Sequence, residues 1–526
     1  MRVLEKSKFL LFPLIIGIIL MVYSWGLSYP LSIDSSGDFV FNHVSVLYWF
    51  SLALTLPSMY MIAVTSKRDS LKWIMTVGIV MTIYSLSYFY YMVPGGDSHH
   101  TTGLTEFFIK TKNLDPSQPN RGYFQWPILF ILASIATSVT GLGLPTIEFL
   151  FYAIIGFLWS TALYVYASKA SKNGGFLAVI AFFIVMFNFL NYQFAPFSLA
   201  FGLLLLLFML ESRPRSSALT IAMLVLFVCI TLAHAFVAIF FVLYLLIQYI
   251  VRRDKLDGRL CLLTSMIYFI LQLAMAPVGF ANSISSMITL SSEYSSTLKI
   301  YPPSSIPIDA IAQMLSRTVT ITFGSICLAG FILLLVKRKL RSLDKAIFLT
   351  GVVYSGAGIV LFTLGTRAIP IVFIPVSLGV SYLFKSKFRP YLTGLFLILL
   401  SLVAFFPLHV SFVDSPINFQ TKEAQTTADF MIEKYDWNRA SVILSHVSDH
   451  WYILPQVEGN FIFYDDFSSG FQSRSIETYD TIIYSVGLAK SLERNKFSEG
   501  NISRQILDRF NVIYDSGLSY IAEKPS

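Results

Sequence analysis

The residues WIMTVGIVMTIYSLSYFYYMV, Trp73–Val93, run directly into Pro94-Gly95-Gly96-Asp97-Ser98-His99-His100. Roughly 20 apolar residues suffice to cross the hydrocarbon core of a bilayer. The first part therefore reads as a membrane span and the second as its boundary. A carboxylate and two imidazoles are costly to keep against a span end, so their presence there marks a candidate functional site.

The rest of the chain repeats the first half of that pattern. The 526 residues are 55% hydrophobic and only 13% charged, with mean hydropathy +0.67. Apolar runs fall at about 9–29, 43–65, 72–93, 124–142, 145–168, 176–191, 194–210, 217–233, 235–251, 259–280, 312–336, 346–365, 369–384 and 391–410. They predict a mainly α, polytopic membrane protein of about 12–14 transmembrane helices. Runs of about 16 residues are short for a full span and fit broken or re-entrant helices lining a cavity. The first run reads as a span rather than a cleaved signal, being too long and lacking a small-residue cleavage site. Cys229, Cys261 and Cys327 all lie inside apolar runs, which excludes a disulfide framework or a metal-binding spacing.

Charge divides the chain in two. Residues 1–410 hold 28 Lys and Arg against 14 Asp and Glu, whereas residues 411–526 are net acidic by 6. The basic excess sits in short loops between runs, which is positive-inside topology and excludes a nucleic-acid partner. Loops at Lys67–Lys72, Lys169/Lys172, Arg213/Arg215, Arg252–Arg259, Lys337–Lys345 and Lys385–Arg389 are then cytoplasmic. Segments 30–42, 94–123, 191–194, the turn at His234, 281–311 and 366–369 are then expected to face outward, as is the chain from about 411. Three runs separate Lys72 from Lys169, where parity requires an even number. Either 124–142 does not cross, or the Lys169 loop is outside.

The first outer loop, 94–123, pairs a Gly95-Gly96 turn with an amphipathic stretch. Leu104, Phe107 and Phe108 alternate with Thr105, Glu106 and Lys110, which predicts a short interfacial helix over 101–112. Tyr123 and Trp126 lead into the next run as an interface belt. Asp97 also has a plain reading as a span-end carboxylate in the headgroup zone. With His99 and His100 it is also a partial ligand set for a divalent metal, too small for a closed site without distant ligands.

The order of these features resembles the GT-C superfamily of glycosyltransferases, notably archaeal membrane members. An Asp closes an early span, a His follows, then an amphipathic outer helix and a Tyr-x-x-x-Pro entry, Tyr123 to Pro127. Asn191-Tyr192-Gln193-Phe194-Ala195-Pro196 is similar to the family's mid-chain outer turn. Thr231-Leu232-Ala233-His234 is similar to its "T-x-x-H" turn, with Ala235 where Pro is common. Gly365-Thr366-Arg367 is similar to its late Arg segment. The loop carries one Asp rather than an acidic pair, which leaves metal dependence open.

The resemblance implies transfer of a hexosyl or pentosyl group, with inversion, from a polyprenyl-phosphate donor to a hydroxyl acceptor at the outer membrane face. The acceptor would be a lipid-linked glycan or a protein. Such chemistry needs a base for the acceptor hydroxyl, donors or positive charge for the departing phosphate, and an apolar groove for the lipid. Asp97 is the expected base. Candidate substrate contacts are His99, His100, Tyr123, His234, Glu293 and Arg367. Arg367 also suits a headgroup anchor, and His234 a structural group.

Residues 411–526 predict a small extracytoplasmic α/β domain. A helix is expected over 421–435 and 502–510, with strands at 440–444, 460–464 and 512–514. His446, Asp449, His450, Asp465 and Asp466 read as a solvated loop rather than a metal site. Competing functions are a transporter or lipid-glycan flippase, and a surface-glycan polymerase or ligase. The spans are mostly free of Asp, Glu, Lys and Arg, which weighs against ion-coupled transport.

Overall fold

The computed structural model describes residues 2–30, 44–89, 96–114, 123–171, 174–186, 193–214, 216–252, 255–275, 307–360, 365–384, 389–405, 422–434, 443–444, 452–453, 456, 481–484, 511–515 and 520–523. It is mainly helical. In chain order the helices are α1 (Arg2–Ser28), α2 (Val46–Thr65), α3 (Asp69–Ile83), α4 (Gly96–Thr111), α5 (Ile128–Thr140), α6 (Leu144–Ala170), α7 (Gly175–Met186) and α8 (Pro196–Glu211). There follow α9 (Ser217–Ala233), α10 (Ala235–Arg252), α11 (Lys255–Met275), α12 (Pro307–Val336), α13 (Ser342–Val360), α14 (Gly365–Leu383), α15 (Arg389–Phe405) and α16 (Lys422–Lys434). Each of the fourteen apolar runs carries one of them.

Six of these helices contain stretches long and apolar enough to cross a membrane: those in α1, α2, α6, α10, α11 and α12. Shorter apolar helices are α5, α7, α8, α9 and segments of α14 and α15. The outward faces of the helices are apolar, as lipid exposure demands. On α1, Phe12 is 71% and Val22 64% exposed. Inside the bundle, α7 is buried all round, from Gly175 to Met186. Close approach replaces the hydrophobic drive where lipid surrounds the helices. At the α12–α14 crossing a Cβ on Gly330 would collide with Gly379, and one on Gly379 with the Cys327 carbonyl.

The contacts at the helix ends bear on the parity problem. The Tyr164 hydroxyl, near the end of α6, donates to the Asp69 carbonyl at the start of α3 (3.0 Å). Lys169 Nζ donates to Ser212 after α8 (2.9 Å), and Arg252 at the end of α10 to Ser342 at the start of α13. The basic loops therefore gather at one end of the bundle. The chain leaves that end on α3 and returns on α6. Between them α5 has 13 residues, about 20 Å at 1.5 Å per residue, too short for a full crossing.

One expectation needs correction. The outer helix begins at Gly96, not Thr101, so Asp97 lies in its first turn rather than in a tight turn before it. Unpaired backbone N–H groups and the helix dipole favour a carboxylate at that place. Nor does the helix lie free on a membrane surface. Leu104, Phe107 and Phe108 pack against Phe124 and Phe130.

Beyond α15 the described residues form α16 and a four-stranded sheet. Its strands are β1 (Ile443–Leu444), β2 (Thr481–Tyr484), β3 (Asn511–Asp515) and β4 (Tyr520–Glu523), in the order β1-β2-β4-β3. The β1–β2 pair is parallel and the other two pairs antiparallel. Ala428 and Met431 of α16 pack with Tyr452, Ile453, Ile483 and Ile521. The predicted helix at 421–435 and the strand at 512–514 are present. Those at 460–464 and 502–510 lie outside the described residues, as do His446, Asp449, His450, Asp465 and Asp466.

Candidate functional site

The first two turns of α4 are polar yet buried: Ser98, His99, His100, Thr101, Thr102 and Thr105 each expose 7% or less. Three contacts fix this helix in place. Ser98 Oγ accepts the Phe194 backbone N–H from the turn before α8 (3.0 Å). Thr102 Oγ1 donates to Glu148 on α6. The His100 ring meets Tyr123 edge to face at 5.3 Å.

From His100 a chain of rings runs across the same end of the bundle. Tyr123 lies 6.3 Å from Trp126, and Trp126 stacks on His234 at 6.0 Å with 22° between planes. His234 is flanked by Phe197 at 5.5 Å and Phe236 at 5.7 Å. Its place follows from the backbone. His234 caps α9 in an extended conformation, and α10 begins at the next residue. Tyr123 to Trp126 form a tight turn just ahead of α5, closed by the Trp126 N–H on the Tyr123 carbonyl (2.9 Å).

The starts of α4, α6, α8 and α10 and the end of α9 thus meet at the end opposite the basic loops. Three segments singled out in the sequence converge there: the first outer loop, the turn before Pro196 and the T-x-x-H turn. Of the expected site residues, His99, His100, Tyr123 and His234 come together with α4. Asp97 stands in the first turn of α4 and Arg367 in the first turn of α14, but their side chains are outside the described part of the structure. Glu293 lies outside the described residues.

The electrostatics of this wall are distinctive. Neither His99 ring nitrogen has a hydrogen-bond partner among the described residues, and the same holds for the Thr101 hydroxyl, the Trp126 indole N–H and the Gln193 side-chain carbonyl. Buried polar groups are normally satisfied, so each such exception calls for an explanation. Burial pushes the His99 imidazole down to about 3, so the ring is neutral at ordinary pH. A neutral imidazole offers one donor and one acceptor.

Two residues here escaped the sequence reading. Glu148 is fully buried in α6, although the spans read as nearly charge-free. Its signal is a lone acid four residues into an otherwise uncharged apolar run, where the helix N-terminus favours negative charge. Trp126 read as an interface anchor, yet its ring stacks on His234 and its N–H is buried. No group of three or more metal-ligating side chains occurs among the described residues.

Neither a family model nor a curated protein matches the chain.

Proposed function

We propose that this protein is a membrane glycosyltransferase that moves a sugar from a polyprenyl-phosphate carrier to a hydroxyl acceptor, with Asp97 as general base. The observation that supports this reading best is the convergence on α4. The helix that carries Asp97 in its first turn is locked by Ser98 and Thr102 and joined through His100, Tyr123 and Trp126 to His234. A base must be held rigidly to accept a proton from a hydroxyl. A hydroxyl-bearing substrate also needs uncharged donors and acceptors, and the wall offers unpartnered ones on His99, Thr101, Trp126 and Gln193.

In this reading the acceptor hydroxyl gives its proton to Asp97 as its oxygen attacks the sugar's anomeric carbon. The bond to the carrier phosphate breaks with inversion. Arg367, with its bidentate donor fork, suits the departing phosphate. The aromatic and apolar surface beside His234 suits the carrier. The site then faces the outer side of the membrane, opposite the basic loops, and the chain from 411 lies on that side too.

The deciding assay uses membranes and a panel of labelled polyprenyl-phosphate sugars, with wild type and Asp97→Asn compared. Transfer by wild type alone supports the class and the base together. Transfer by neither, with intact protein, turns the reading towards transport. Equal transfer by both keeps the class and removes Asp97 as base.

A further inference from the structure

The polar face of α4 carries a second arrangement, independent of the first. The Tyr452 hydroxyl lies 2.6 Å from Glu106 Oε2 on α4 and 2.9 Å from Asp429 Oδ1 on α16. Its ring is fully buried, in the core that α16 shares with the sheet. A phenol has one proton to donate. Two contacts this short, to two carboxyls, are both attractive only if one carboxyl is protonated and donates back to the phenolic oxygen. With both carboxyls ionised, two negative charges would flank one hydroxyl in a largely desolvated place.

The neighbours relieve that charge only in part, although Lys110 faces both carboxyls. On α4, Lys110 Nζ is 3.9 Å from Glu106, but the lysine side chain is half exposed. Such a pair is worth little. On α16, Gln425 Nε2 donates to Asp429 at 3.3 Å, while Glu433 adds negative charge near it. Gln456, one turn beyond Tyr452, hydrogen-bonds towards Glu106.

We propose that the Glu106–Tyr452–Asp429 cluster is a proton-dependent latch that docks the α16–sheet region onto the helix carrying the candidate site. Burial is the main cause that raises both carboxyls above their ordinary range. A group whose proton is held more tightly in the docked form favours docking at low pH. Docking is therefore strongest below the usual carboxylate range of about 4, and weakens as pH rises through the raised values. The state of the latch reaches α4, and through it the turn that carries Asp97, His99 and His100.

The test measures distance in the full-length protein in lipid nanodiscs. The three native cysteines are replaced by serine, and spin labels are placed at Asn113→Cys and Lys434→Cys. EDTA is present throughout, so no bridging cation holds the carboxyls together. From pH 4 upward to pH 9 the wild-type distribution should shift from a short population towards longer distances. The docked-to-undocked ratio should change by at most about tenfold per pH unit for one linked proton. Glu106→Gln, whose amide donates to the phenol without titrating, should lose the pH response, and Tyr452→Phe should lose it as well. A wild-type distribution that does not move with pH overturns the latch, and so does a response that survives both substitutions. Neither readout depends on sugar transfer, so the latch and the proposed activity stand or fall separately.

Discussion

The two ends of the helix bundle bury polar groups in opposite ways. At the basic end, charge is closed off. Arg341 grips Asp344 with two nitrogens at 2.7 and 2.8 Å, and the Tyr166 hydroxyl donates to Asp344 at 2.5 Å. Buried Glu211 accepts from Gln248 at 2.9 Å. At the α4 end the wall is mostly neutral apart from Glu148, and several of its groups have no partner among the described residues. The basic end is closed around its ion pairs, though Ser171 Oγ and Gln248 Oε1 there also have no partner among the described residues. The other holds unmet hydrogen-bonding capacity, which the protein tolerates at a cost of about 1–3 kcal/mol per group. Unmet capacity is what a site for a polar ligand requires, and stability is commonly given up for it.

The sharpest way to test that contrast is to change one acid at each end. Asp97→Asn should lower sugar transfer by about 10²–10⁴-fold, the usual worth of a general base, while thermal unfolding in detergent stays unchanged. Asp344→Ala should do the reverse. It leaves Arg341 and Tyr166 without their shared acceptor, and breaking such a pair costs about 3–5 kcal/mol when the survivor is fully buried. Arg341 is 29% exposed, so the lower end is expected. Melting followed by tryptophan fluorescence reads this loss, and activity per folded molecule should hold. If Asp344→Ala abolished transfer in a stable protein, the division between the two ends would be wrong.

A smaller effect tests the unmet groups themselves. Trp126→Phe removes an N–H that has no partner among the described residues and keeps most of the ring stacked on His234. Removing an unsatisfied polar atom is neutral or stabilising, and here it offsets the small cavity that the phenyl ring leaves. The variant should therefore unfold at the wild-type temperature or slightly above it, while its apparent KM rises by about tenfold, the worth of one hydrogen bond to substrate. A clear loss of stability would mean that the indole N–H already has a structural partner.

Much of the scaffold was legible before the structure, because bilayer physics constrains it so strongly. A run of apolar residues has no option but helix, and all fourteen runs carry one. The turns at Gln193–Ala195 and His234 were legible as breaks between such runs, though not that Ser98 would hold one of them and Trp126 the other. The start of α4 misled because Gly95-Gly96 resembles a turn. The dipole at a helix start and the burial of Ser98 and Thr102 outweigh the cost of one glycine. Tyr452 was not legible at all, and Glu148 only as a lone acid in an apolar run. Each matters through a partner 46 or 346 residues away, and no local pattern encodes such a pairing.

The last difference between the ends is how they respond to acid. His99 is buried and neutral, with its imidazole at about 3 instead of the usual 6.5. In the unfolded chain it takes up a proton as pH falls below about 6.5, and in the folded chain it does not. The unfolded state then binds more protons, so acid favours it. The stability that depends on a neutral His99 is fully present above pH 6.5. It is lost at up to about 1.4 kcal/mol per pH unit as pH falls from there towards 3. His99→Asn keeps a polar side chain that does not titrate, so the melting temperature of this variant should fall less steeply than wild type between pH 6.5 and 5. The carboxyls of the Tyr452 cluster pull the other way as pH falls through their raised values, since protonation favours the docked fold. A Glu106→Gln background removes that opposing contribution, and in it the slope attributable to His99 should steepen. If His99→Asn and wild type melt in parallel across this range even there, the ring has a proton-accepting partner, and the neutral wall around α4 is not what the geometry indicates.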